Sequence, residues 1–226
     1  MSDEFFISPI HTNTYLTASS TTDDRINVFE AQLQGWTIDQ ADVLGSSMNP
    51  CEQHAGYALL MICCAYFETL EGVYQGQPSP PRKSKGYFRA GFTRVFGDIP
   101  SQARAIKATQ AEADQLVAEL VDDLYDEVRC GLYHRLTTKN RVSITKAGPT
   151  VAFEMNSAGT AVAYIALNPW KVRDEIALHF RRLLSDLRDA SNTALRTSFD
   201  SFFQRTRTAP GTVHAVTFTT PARSSF

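Results

Sequence analysis

The sequence predicts a mainly α-helical domain with a small β insertion. Three observations carry that reading. Apolar residues recur at helical spacing through four long stretches between Asp24 and Phe203. Between Arg141 and Leu167 the apolar period changes to two, separated by KAGP and NSAG turn sequences. A chain of 226 residues with 43% hydrophobic content and a formal net charge of -2 can bury a substantial core, and is most simply one domain with an insertion. The expected organisation is an irregular segment over 1–23, a helical domain over 24–207 with the β insertion at about 141–167, and a tail over 208–226. No internal repeat is evident.

In order along the chain, Ile26, Phe29, Leu33 and Trp36 predict a first helix over Asp24 to Leu44, stopped by Gly45, with Gly35 as an unfavourable interior residue. Pro50 opens a second helix that runs through Tyr74 and ends before Gly76. Its run ALLMICCAYFETL is apolar on most sides, which places it at the centre of the fold. Gly76 to Gly86, GQPSPPRKSKG, reads as an exposed connection. A shorter helix over Tyr87 to Phe96 follows, with Phe88, Phe92 and Val95 on one face. The third long helix starts between Ser101 and Ala111 and carries Leu116, Leu120, Leu124 and Val128 every fourth residue. The alternation of Val142 and Ile144, of Val151, Phe153 and Met155, and of Val162 and Tyr164 predicts a three-stranded antiparallel meander. Asn168 and Pro169 then start a final helix with Val172, Ile176, Phe180, Leu183 and Leu187 in register, bending near Ser191 and running to about Arg207. Val213 to Phe218, VHAVTF, reads as a possible added strand in the tail.

Composition removes several function classes. The sequence pI of about 6.2 gives no global attraction to nucleic acid, so any such binding must rest on a local basic patch. The four cysteines, Cys51, Cys63, Cys64 and Cys130, show no CxxC spacing, which argues against a zinc site and against a disulfide scaffold. Cys63 and Cys64 read as small core residues. The start MSDEFFISPIHTNTYLTASS lacks a basic region followed by a long apolar run, and the apolar run Tyr57 to Phe67 is short for a bilayer and leads into Glu68 and Glu71. The expectation is a cytoplasmic protein with no membrane span, no metal and no cofactor.

One stretch proposes a chemistry. LYDEVRCGLYH, Leu124 to His134, sets Arg129 and His134 five residues apart at the end of the long amphipathic pattern. On an unbroken helix, at roughly 100° per residue, two such positions point about 140° apart. They come together only if the helix loosens near Gly131, or if the site is shared with a second copy across a twofold axis. A permanently charged guanidinium on the edge of an apolar stripe is either paired with an acid or aimed at an anion. Glu68, in the central helix beside Tyr66, is the acid that could pair with Arg129.

RCGLYH resembles the R-x4-H signature of the HEPN superfamily, and the long helix, the β insertion and the final ALNPWKVRDEIALHFRRLLSDLR helix resemble the context of small prokaryotic HEPN proteins over roughly residues 25 to 205. The resemblance implies a HEPN-like antiparallel helical bundle that acts as a homodimer. The implied activity is metal-independent RNA cleavage, as in a toxin or phage-defence effector, with an antitoxin or nucleotidyltransferase-like protein as a further partner. Arg129 and His134 would be the catalytic pair. An imidazole suits proton transfer at the 2′-hydroxyl and the leaving 5′-oxygen, and a guanidinium can hydrogen-bond two phosphoryl oxygens as their charge grows. The products would be a 2′,3′-cyclic phosphate and a 5′-hydroxyl.

Around the pair, Asp126, Glu127, Cys130 and Tyr133 are auxiliary candidates, and Arg135, Lys139 and Arg141 form the local basic patch for RNA. Solvated helix and loop residues explain Asp126, Glu127 and the basic patch about as well. Cys130 departs from the polar residue, often Asn, Asp or His, that usually follows the arginine in active members. A thiol is a weak hydrogen-bond donor, and the departure points to weak or absent catalysis. His54, His179, His11 and His214 read as capping, packing or solvated residues. Beside the ribonuclease stand two other readings: a noncatalytic module of the same fold that binds RNA, a nucleotide or a protein, and a structural dimer scaffold in which Arg129 and His134 satisfy buried acids.

Overall fold

The computed structural model describes residues 4–46, 55–107, 109–135, 138 and 141–207. The architecture is mainly helical with a small three-stranded sheet. Helix α1, Thr22–Leu33, starts at a capping box in which the Thr21 side chain accepts from the Asp24 amide and the Asp24 carboxylate accepts from the Thr21 amide. The helix continues through a π turn, Gln34–Ile38, into α2, Asp39–Ser46. Gly35 belongs there because a Cβ at that position would lie 2.4 Å from the Pro9 ring. The extra residue of the π turn also changes the phase of the stripe, so Trp36, expected on the buried face, is 51% exposed. Pro50, the expected opening of the next helix, lies outside the described residues.

Helix α3, Gly56–Gln75, is the central element. Leu59, Leu60, Cys63, Cys64, Tyr66, Phe67, Leu70 and Val73 are all buried, because α4, α8 and α9 cover it. The helix runs well past the apolar stretch of Tyr57 to Phe67, so by length and composition alone it could cross a membrane; 61% of its most apolar window is buried inside the fold. Gly76 ends it in the left-handed conformation, φ 67°, as a helix stop requires of glycine. Helix α4, Ser84–Val95, begins three residues earlier than its apolar pattern, taking Ser84 to Gly86 from the expected loop. It lies against α3 at Gly91, where a Cβ would stand 2.0 Å from the Phe67 carbonyl oxygen. Phe67 meets the rings of Phe88 and Phe92 edge-on across that contact.

The expected third long helix is divided. Helix α5, Ile99–Ile106, has Pro100 in its first turn, and a new capping box, Thr109 with Glu112, starts α6, Gln110–Leu124. A second π turn, Tyr125–Arg129, leads into α7, Cys130–Arg135. The reason for this turn is arithmetic. Leu116, Leu120, Leu124, Val128 and Leu132 are all buried, and a repeat of four drifts about 40° per step on a 3.6-residue helix. Absorbing one extra residue rewinds the phase by roughly 100°, so Val128 and Leu132 still face the core.

Strands β1, Val142–Ile144, β2, Val151–Met155, and β3, Val162–Leu167, occupy the expected positions but form no meander. The order is β1-β3-β2, with β1 parallel to β3 and β2 antiparallel to it. The antiparallel expectation fails because the segment after β1 is wide and crosses the end of β3. The Thr145 amide donates to the Leu167 carbonyl at 2.8 Å and the Asn168 amide donates to the Thr150 carbonyl at 3.0 Å. The buried Asn168 side chain fixes the crossing, donating to the Lys146 carbonyl at 3.0 Å while accepting from the Lys171 amide to cap α8. A register shift at Glu154/Met155 turns Tyr164 outward and Ile165 into the core, reversing the face expected of Tyr164.

Helix α8, Pro169–Arg188, buries the predicted Val172, Ile176, Phe180, Leu183 and Leu187. The bend expected near Ser191 is a full break. Asp189 accepts from the Ser191 amide and hydroxyl at 2.9 and 2.7 Å, a local turn that competes with helix, and α9, Thr193–Thr206, folds back onto α3. Among the described residues before Thr22 the only β pairing is a bridge between Phe6 and Thr12. The tail and its VHAVTF sequence lie outside the described residues.

Candidate functional site

The second π turn and α7 carry the two residues of the sequence signature and aim them differently. Arg129 ends the π turn and points inward, its Nε donating to Glu68 Oε1 of α3 at 2.9 Å. The side chains of Arg129 and Glu68 are only 27% and 17% exposed. The guanidinium also lies 5.6 Å from the Tyr125 ring centre, within cation–π range. Burial works against the charge, but attraction to Glu68 and to the Tyr125 oxygen outweighs it and holds the Arg129 pKa above its ordinary value. Burial raises the Tyr125 phenol in turn, opposed by the nearby guanidinium. Tyr125 is fixed from its other side by Phe88, with ring centres 5.4 Å apart.

His134 is exposed on α7. That helix is continuous through Gly131, so no loosening there brings His134 beside Arg129. Within one chain the two side chains therefore diverge, one inward and one outward.

Cys130 is partly buried beside the pair. Cys64, one turn before Glu68 on α3, is fully buried, and burial pushes its thiol strongly up while the charge of Arg129 opposes the rise. Burial likewise pushes the Cys63 thiol up to about 12, so both are held as neutral thiols.

Of the auxiliary acids, Asp126 points away from the signature residues to Lys85, Oδ2 to Nζ 2.9 Å, within a bridge that also holds Asp122 to Lys85 at 3.3 Å and to Arg89 Nε at 3.0 Å. This ties α4 to α6 and is the structural role the charges also allowed. Glu127 is half-buried. The backbones of Tyr133 and Arg135 are part of α7, and their side chains, like all of Lys139, lie outside what the structure describes. Arg141 donates to Asp123 at 2.7 Å and to the Val162 carbonyl at 3.2 Å, so it fastens the sheet to α6.

Sequence reasoning missed a second polar cluster. The buried Tyr66 hydroxyl hydrogen-bonds His179 Nδ1 of α8 at 2.9 Å. Glu71, 4% exposed, accepts from Arg94 Nε at 2.8 Å and from Gln75 Nε2 at 2.6 Å. The Arg94 guanidinium stacks on Tyr74 at 3.9 Å. The available signal was a glutamate inside an apolar helix, which burial obliges to find a cation. Of the other histidines, His11 bonds the Ser8 hydroxyl through Nδ1 at 2.8 Å within a local turn, while His54 and His214 lie outside the described residues. Among the described residues no group of three or more His, Cys, Asp or Glu could hold a metal ion. No family model, no curated protein and no solved structure matches the chain.

Proposed function

We propose that the protein is a metal-independent endoribonuclease of HEPN type, acting as a homodimer. The observation that carries the reading is the mounting of Arg129. A permanent cation is held between Glu68 and Tyr125 at one end of a short helix that presents an exposed imidazole, His134, at its surface. The chemistry of RNA cleavage without metal asks for those two groups, a fixed guanidinium for the phosphoryl oxygens and an imidazole for the proton. Because Arg129 on the π turn and His134 on α7 diverge, the reading requires a second copy, so that His134 and Arg129 of two chains meet at a twofold axis. Toxin or phage-defence biology, with an antitoxin or nucleotidyltransferase-like partner, belongs to the same proposal.

A second reading is favoured by a specific observation. The Arg129 Nε–H is already spent on Glu68, and Cys130 stands where a stronger polar group serves active members of the superfamily. Both fit a noncatalytic binding module or a dimer scaffold. The test is cleavage of mixed small RNAs in EDTA by wild type, His134→Ala and Arg129→Ala, each shown to be folded. Cleavage by wild type alone, leaving 2′,3′-cyclic phosphate ends, supports the ribonuclease. A folded, dimeric and inert wild type would overturn it in favour of the second reading.

A further inference from the structure

The cluster between α3, α4 and α8 has the build of a receptor. His179 Nδ1 is fixed by Tyr66, itself 1% exposed, which leaves Nε2 without a hydrogen-bond partner among the described residues. Arg94 is anchored through Nε by buried Glu71 and through its face by Tyr74, and its two terminal nitrogens have no hydrogen-bond partner among the described residues. Arg182 follows His179 by one turn of α8 on the same face, is exposed, and has no ion pair among the described residues. Arg94 and Arg182 both act electrostatically on the His179 ring, so three donor groups from two helices lie within reach of one another, and two of them are set by buried side chains.

We propose that Arg94, His179 and Arg182 form a binding site for a phosphoryl oxyanion, separate from the Arg129 site and independent of the ribonuclease reading. The chemistry suits a tetrahedral phosphate, which can accept from an imidazole N–H and from guanidinium edges at once.

The surrounding charges set how the site works. Facing His179 are Tyr66 from α3, Arg94 from α4, and Arg182 and Asp186 from its own helix, while Glu71 and Tyr74 of α3 lie against Arg94. With the imidazole neutral, the two arginines and the two acids cancel. Burial, then Arg182 and Arg94, keep the His179 pKa below its usual value, with Asp186 opposing them. The site gains net positive charge only when His179 takes a proton. Anion binding and protonation are therefore linked, and by reciprocity a phosphate that favours the protonated form raises the His179 pKa. Each unit of rise corresponds to about tenfold tighter binding to the protonated form.

The experiment follows the His179 ring signal of the full chain by NMR against pH, the signal assigned by its loss in His179→Asn. The titration is run in chloride, in inorganic phosphate at equal ionic strength, and with a single-stranded oligodeoxynucleotide lacking terminal phosphate. The expected result is an upward shift of the His179 midpoint in phosphate that is absent from Arg182→Ala, whose exposed position, with no ion pair among the described residues, makes it compatible with folding. A shift with phosphate alone assigns the site to free phosphate or a terminal monoester; a shift with the oligonucleotide assigns it to a nucleic-acid backbone. An unchanged midpoint in both, or the same shift in Arg182→Ala, overturns the proposal.

Discussion

Replacing Glu68 by Gln removes the charge that faces Arg129 while leaving an oxygen able to accept from its Nε. Pairs in full solvent contribute roughly 0–1 kcal/mol, and breaking a fully buried pair costs about 3–5 kcal/mol. Side-chain exposures of 17% and 27% place this pair between those limits. The expected loss is about 1–2 kcal/mol for Glu68→Gln, the same for Arg129→Gln, and clearly less than their sum in the double variant. Urea unfolding followed by circular dichroism measures all four proteins, with equal m-values as the check that the same transition is compared. A coupling energy below about 0.3 kcal/mol would mean that the two groups do not interact in solution, and the reasoning about how Arg129 is mounted would fail. The same variants separate chemistry from structure. If the mounted guanidinium serves RNA cleavage, Glu68→Gln lowers the cleavage rate by more than its unfolded fraction explains.

Three further outcomes follow from other parts of the molecule. Gly91→Ala drives a methyl group to 2.0 Å from the Phe67 carbonyl, and the backbone clash, about 1–3 kcal/mol, outweighs the gain in helix propensity of up to about 1 kcal/mol. Gly86→Ala on the same helix meets nothing within 4 Å, so it is stabilised by up to about 1 kcal/mol; thermal unfolding of the pair in the opposite order would refute the close approach of α3 and α4. His179 has a folded pKa below its unfolded value near 6.5, so the unfolded chain binds more protons and stability falls as pH drops from about 6.5 through the folded value. In phosphate-free buffer His179→Asn flattens that limb of the stability curve, and an unchanged slope would exclude the burial of His179 as its cause. With Cys63 and Cys64 buried, native thiol labelling read by mass spectrometry modifies Cys130 ahead of them, and their equal labelling in the folded state would contradict the central place of α3.

Much of the helical scaffold was legible in local chemistry. Gly76 and the Asn168–Pro169 pair set helix ends where they were read, and the apolar sets of α3 and α8 are buried as their spacing required. The failures share a cause: each is decided by a feature that neither composition nor apolar period encodes. Trp36 and the residues after Leu124 sit on π turns, whose extra residue leaves no compositional mark. The sheet order depends on Asn168 gripping a crossing loop, which alternation in β1, β2 and β3 does not encode. The break between α8 and α9 was visible only as a bend, because the Asp189 turn competes with helix through two hydrogen bonds that sequence leaves optional. At the candidate site, Glu68 was legible as a lone acid near Arg129, whereas the Tyr66–His179 contact joins residues 113 apart and had no signal at all.

The π turn at Tyr125–Arg129 makes the direction of the site a matter of counting. Every residue beyond it is indexed against the core by the number of residues before it, and not only by its own identity. Winding the turn into a uniform α-helix with the same residues would swing α7 by roughly 100° about its axis, withdrawing Arg129 from Glu68 without altering either residue. Point substitutions within the turn leave that indexing intact. A chain built this way tolerates changes of letter there far better than loss of the turn itself, since regularising the helix would switch off whatever Arg129 does while preserving every side chain that does it.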